Sequence, residues 1–70
     1  METFSLEGHP HIALCDLLKF QGWCDSGAAA KIAVAEGLVR VDGEMETRKR
    51  CKIVAAQRIE YQGQTVNIVE

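Results

Sequence analysis

Four cations occupy five consecutive positions in Arg48-Lys49-Arg50-Cys51-Lys52. Guanidinium and ammonium groups at that density suit phosphate oxygens, which arginine engages as a planar fork and lysine as a point charge. From Thr47 to Ile59 there are five cations, with Arg58 the last, and no acid. The rest of the chain sets only Lys19, Lys31 and Arg40 against all ten acids. A net charge of -2 taken alone speaks against a nucleic-acid partner, so it is the uneven distribution that carries functional content. A charged loop can also serve only to keep a surface solvated. The lack of an interleaved acid, and Arg40 on the preceding segment, favour phosphate binding by Arg40, Arg48, Arg50 and Lys52.

Other groups are weaker candidates. The N–H groups at the start of a helix opening at Ser26-Gly27 carry partial positive charge; Gly27 lets an anion approach the backbone, and Lys31 follows one turn later. His9, His11 and Cys15 resemble part of a metal site, but Cys24 and Cys51 supply no second ligand pair of the kind a structural zinc needs, so no metal or cofactor is expected. Cys24 beside Asp25 has no neighbouring base to activate a thiol. Trp23 and Tyr61 are aromatic and able to stack on bases, yet a chain with four aromatics needs them for its core.

These side chains must be held by short elements. Glu2 to Leu6 alternates as a strand. Pro10 suits a first helical turn, and Leu14, Leu17 and Leu18 fall at i, i+3 and i+4, predicting a helix from about Pro10 to Phe20 that Gly22 follows. Asp25-Ser26-Gly27 is the start signal of a second helix, rich in alanine through Glu36 and closed by Gly37. Leu38 to Glu46 reads as a hairpin around Asp42-Gly43. A two-residue loop would place Met45 opposite Arg40 on the polar face, so a bulged, three-residue loop is expected. Arg58–Tyr61 and Gln64–Val69 form two further strands around Gln62-Gly63. The fold class is therefore α+β, with one domain over residues 1–70.

Size and composition bound the function. Seventy residues bury only roughly 60% of the unfolded surface, which favours a binding surface over an enlarged catalytic cleft, and no enzyme activity is expected. No apolar run approaches the roughly 20 residues that span a bilayer, and Met1 to Glu7 lacks the basic and apolar regions of a signal peptide. A cytoplasmic location with three reduced thiols is expected.

The succession Leu17-Leu18-Lys19, Gly22, Asp25-Ser26-Gly27, Ala30-Lys31, Glu36-Gly37, Val39-Arg40-Val41-Asp42-Gly43 and Thr47-Arg48 resembles the S-four-type RNA-binding domain, also called the alpha-L motif, over about residues 10–69. The resemblance implies two antiparallel helices docked on a small, mainly antiparallel sheet. It also implies RNA lying across the start of the second helix and the adjoining hairpin; the expected partner is a structured RNA of the ribosomal or transfer class, without DNA specificity, bound by a monomer. Carried over by position, Lys19, Ser26, Lys31, Arg40, Asp42, Thr47 and Arg48 match the motif. Gly27 and Ala28 stand where many members have arginines, and Asp42 stands where most have asparagine, a carboxylate expected to repel a nearby phosphate. Those departures move weight to Arg48, Lys49, Arg50 and Lys52. A protein-interaction module whose basic loop meets an acidic partner is the alternative reading.

Overall fold

A computed structural model describes residues 2–70; Met1, the first residue of the expected domain, lies outside them. The elements run β1 (Glu2–Ser5), β2 (Ile12–Ala13), α1 (Leu14–Phe20), α2 (Gly27–Ala35), β3 (Val39–Val41), β4 (Glu44–Met45), β5 (Lys52–Ile53), β6 (Arg58–Tyr61) and β7 (Gln64–Val69). Two helices pack with a mainly antiparallel sheet, the α+β arrangement expected from the sequence. The main sheet has the order β1-β7-β6-β3-β4, and β2 pairs with β5 as a separate ribbon. Among the described residues only β1 runs parallel to its neighbour, β7.

Alternation decides which face of the sheet meets the helices. Val39, Val41, Ile59, Tyr61, Val66 and Ile68 are buried together with Leu14, Leu17 and Leu18 of α1 and Ala30, Ala33 and Val34 of α2. Burying each large aliphatic side chain contributes about 1.5–3 kcal/mol. The residues between them form the outer face, where Arg40 pairs across to Glu60 and Glu60 to Thr65.

The first helix begins at Leu14 rather than near Pro10. Residues 12–13 are extended because Ile12 pairs with the fully buried Ile53, and Ala13 with Lys52. Ala13 has no side chain able to cap a helix. The Leu14 N–H instead donates to the Cys51 carbonyl at 2.9 Å, and the Cys15 N–H to the Lys49 carbonyl at 3.0 Å. Orphan amides of a first turn must find such acceptors, so the helix starts where the basic loop supplies them.

The first hairpin also corrects an expectation. Arg40 pairs with Met45 and Val41 with Glu44, which leaves a two-residue turn and no bulge. Asp42 and Gly43 both lie in the left-handed region, at φ 53° and 86°, as a type I′ turn requires. Asp42 is held there by β6: its N–H donates to the Arg58 carbonyl at 2.8 Å, and its Oδ1 accepts from the Arg58 N–H at 2.9 Å. Met45 stays 65% exposed on the polar face, with its sulfur over Gly37, where an added Cβ would meet it.

Candidate nucleic-acid interface

The loop between β4 and β5 is a short structured span. The Cys51 N–H donates to the Arg48 carbonyl at 3.1 Å, closing a turn with Lys49 and Arg50 at its corners. The same turn directs its carbonyls inward to α1, as described above. Its backbone is therefore tied at one side to the helix and at the other to the β2–β5 ribbon, while the side chains of Lys49, Arg50 and Lys52 are exposed.

Arg48 is different from its neighbours. Its Nε donates to Glu46 Oε2 at 2.9 Å, its Nη2 donates to Glu46 Oε1 at 3.0 Å, and its backbone N–H donates to Oε2 at 2.9 Å. This bidentate fork, with its added backbone bond, holds the Glu46 carboxyl at about 2, against an ordinary value of 4.5, and pushes the Arg48 guanidinium further above its ordinary range. The acid-free window from Thr47 to Ile59 missed this partner because Glu46 stands one residue before it. Expectations that Arg48 offers an uncompensated charge are thus corrected: its charge is matched locally, although the guanidinium remains largely exposed.

Arg58 is likewise paired, with Glu60 at 3.5 Å. Among the described residues no other ion pair forms, so Lys19, Lys31, Arg40, Lys49, Arg50 and Lys52 have none. Two of these six, Lys49 and Arg50, lie on the loop, and Lys52 follows as the first residue of β5. Arg40 lies apart on the outer face of β3, between Met45 and Glu60 of the neighbouring strands. Thr47 is exposed at the entry to the loop.

Ser26 and Gly27 belong to another part of the fold. Ser26 caps α2, its Oγ accepting from the Ala29 N–H at 3.1 Å, so its oxygen is already engaged. Space in front of Gly27 is open, and Lys31 is half-buried on the same helix. Lys19 is exposed in the last turn of α1. The basic loop caps the beginning of α1, whereas Ser26 follows the end of that helix. The structure therefore brings Lys49, Arg50 and Lys52 together and sets Ser26, Gly27 and Lys19 at the other end of α1.

The remaining chemical groups serve the core or its border. Cys15 and Cys24 are buried, and among the described residues no cluster of three or more His, Cys, Asp or Glu side chains is arranged to hold a metal. Trp23 stacks on Tyr61 with ring centroids 6.2 Å apart. Burial, and then the nearby Glu46 carboxylate, push the Cys51 thiol up, which disfavours its thiolate. No helix among the described residues is long and apolar enough to cross a membrane.

The fold is a helical pair on a small sheet, with a hydrogen-bonded cationic turn at the head of the first helix. Residues 4–69 match the S4 domain family, and the chain belongs to that family. It is 64% identical to the Escherichia coli (strain K12) protein named "Putative RNA-binding protein YbcJ" over 69 residues, 99% of either chain. The same identity and coverage hold for the Shigella flexneri "Uncharacterized protein YbcJ". The solution structure of E. coli YbcJ, described as revealing an alpha-L motif involved in RNA-binding, superposes with a TM-score of 0.77 and 63% identity, covering 100% of this chain and 89% of that one. The crystal structure of 30S ribosomal protein S4e from Thermoplasma acidophilum superposes with a TM-score of 0.61 and 26% identity; 81% of this chain corresponds to 30% of that one.

Proposed function

We propose that this chain binds structured RNA, of the ribosomal or transfer class, through phosphate contacts from the turn that carries Lys49, Arg50 and Lys52, and that it performs no catalysis. The observation that carries this reading is the set of three unpaired, exposed cations on a backbone tied to α1 and β2. A fixed cationic surface loses little order when it meets a phosphate backbone, and phosphate contacts set register without reading sequence. Its similarity to YbcJ supports the choice of RNA over an acidic protein. Arg40 and Arg48 extend the contact surface, Thr47 borders it, and Ser26, Gly27, Lys31 and Lys19 contribute where an RNA reaches past α1. The protein acts as a cytoplasmic monomer.

The test is a triple variant, Lys49→Ala/Arg50→Ala/Lys52→Ala, titrated against a structured RNA across a salt series. Removing one phosphate-binding cation lowers the dependence of log K on log salt by about 0.7–0.9, so the slope of the triple variant is expected to fall by about 2–3, and affinity with it. Unchanged slope and affinity would refute the assignment, and retained binding to an acidic protein but none to RNA would favour the protein-partner reading.

A further inference from the structure

A groove of about 560 Å³ lies between β1 and α1, with Phe4, Phe20 and Ile12 as its apolar walls and Glu7, His9 and His11 at its rim. None of these residues belongs to the cationic turn. Phe4 and Phe20 stack with centroids 6.3 Å apart and an interplanar angle of 25°. Phe20 is nevertheless 69% exposed, an unusual state for the largest apolar side chain on a helix whose other large apolar residues are wholly buried. The rim is fixed. Glu7 and Gly8 take φ 51° and 86°, the His9 N–H donates to the Leu6 carbonyl at 3.0 Å, and Ser5 Oγ accepts from the Glu7 N–H at 3.1 Å while donating to the Glu70 carbonyl at 2.9 Å.

The groove reaches the strand that pairs with β5, because His11 and Ile12 line it. In the β2–β5 ribbon Ile12 and Ile53 are partners, as are Ala13 and Lys52. Ile53 faces the core, and Ala13, the partner of Lys52, stands two residues from His11, so Lys52 and His11 are diagonal neighbours across the two chains, about 7–8 Å apart. At the far wall Lys19, a further unpaired cation, adjoins Phe20 in sequence.

We infer that this groove receives an unpaired nucleobase of the RNA whose phosphates lie on Lys49, Arg50 and Lys52. An exposed ring face offers stacking that any base can use, and the imidazoles and carboxylate at the rim supply both donors and acceptors for a base edge. Flanking cations at Lys52 and Lys19 match the charge of the phosphates on either side of that base. The assignment rests on the RNA-binding reading and adds to it a preference for RNA with an extruded or looped base over a plain duplex.

A hairpin RNA with an unpaired loop and a blunt duplex of the same stem discriminate the two. Phe20→Ala is expected to weaken hairpin binding about 5- to 160-fold, the span of alanine substitutions at base-stacking aromatics. Duplex affinity and the salt slope should stay as they are, because no charge is removed, and Phe20→Trp should restore hairpin binding. His9 and His11 ring signals should shift with the hairpin and remain in place with the duplex. Phe20 is exposed, so folding is preserved in the variant, which circular dichroism checks. If Phe20→Ala binds the hairpin as tightly as the parent chain while the Lys49/Arg50/Lys52 variant does not, the base groove is overturned and phosphate binding stands. If the parent chain binds neither RNA, the RNA reading falls and this assignment falls with it.

Discussion

Glutamine at position 46 separates the two roles open to Arg48. In the folded chain the Glu46 carboxylate occupies two donors of the guanidinium at 2.9 and 3.0 Å, geometry that a phosphate would otherwise take. Glu46→Gln removes the negative charge while keeping an oxygen able to accept the Arg48 N–H. Arg48 then joins Lys49, Arg50 and Lys52 as a fourth uncompensated cation. One additional phosphate contact raises the salt slope by about 0.7–0.9, which corresponds to roughly five- to eightfold tighter binding per tenfold lower salt. Fluorescence anisotropy with a labelled structured RNA at several salt concentrations measures both quantities. Glu44→Gln is the control, since Glu44 is exposed and has no ion-pair partner and changes net charge equally without releasing a cation. Equal effects of the two substitutions would refute the role assigned to the fork. A second check is Arg48→Gln in the Glu46→Gln background, which should abolish the gain in slope and affinity that Glu46→Gln brings.

The pH dependence of stability follows from the same pair. Glu46 titrates at about 2 when folded, below its ordinary 4.5, so its stabilising contribution is complete above the ordinary value and is lost as pH falls through the folded one; urea midpoints between about pH 5 and pH 2 should decline less steeply in Glu46→Gln. Asp42→Ala should cost about 1 kcal/mol, the net value of the bond to the Arg58 N–H, plus the strain of alanine at positive φ, whereas Asp42→Asn keeps the acceptor and tolerates that conformation; chemical denaturation ranks the two. Ser26→Ala removes the cap of α2 and should cost about 1 kcal/mol with little change in RNA affinity at the Lys49–Lys52 turn, so a large loss of affinity in a folded Ser26→Ala variant would move the contact surface back toward α2.

Features governed by neighbours along the chain were legible in the sequence. Leu14, Leu17 and Leu18 mark the buried stripe of α1, Ser26 and Gly37 bound α2, and Gln62-Gly63 joins β6 and β7 at the expected positions. What escaped depends on residues far apart. Pro10 suggested a helix start, but Ile53 recruits Ile12 into a strand, and carbonyls of Lys49 and Cys51 choose the first helical residue. The parallel contact of β1 with β7 joins the two ends of the described chain and leaves no local signature. Met45 argued for a bulge on the assumption that an apolar side chain must reach the core, whereas Gly37 leaves room for it elsewhere. Asp42 read as an obstacle to phosphate, and no local signal marks its bond to the Arg58 N–H sixteen residues away. Glu46 was local enough to be seen, two positions from Arg48, but spacing alone does not show that one carboxylate takes both the guanidinium and the backbone N–H of Arg48. The cationic cluster itself was plain in the sequence; which of its members lack a partner was not.

Whether phosphates meet the turn at Lys49, Arg50 and Lys52 is tested most directly by titrating the isotope-labelled protein with a structured RNA at low and high salt and following backbone amide shifts. Saturable shifts are expected from Arg48 through Lys52, with smaller ones at Arg40, all of which weaken as salt rises. A complex that forms with no shift in that turn, or one whose affinity does not depend on salt, would contradict phosphate binding there.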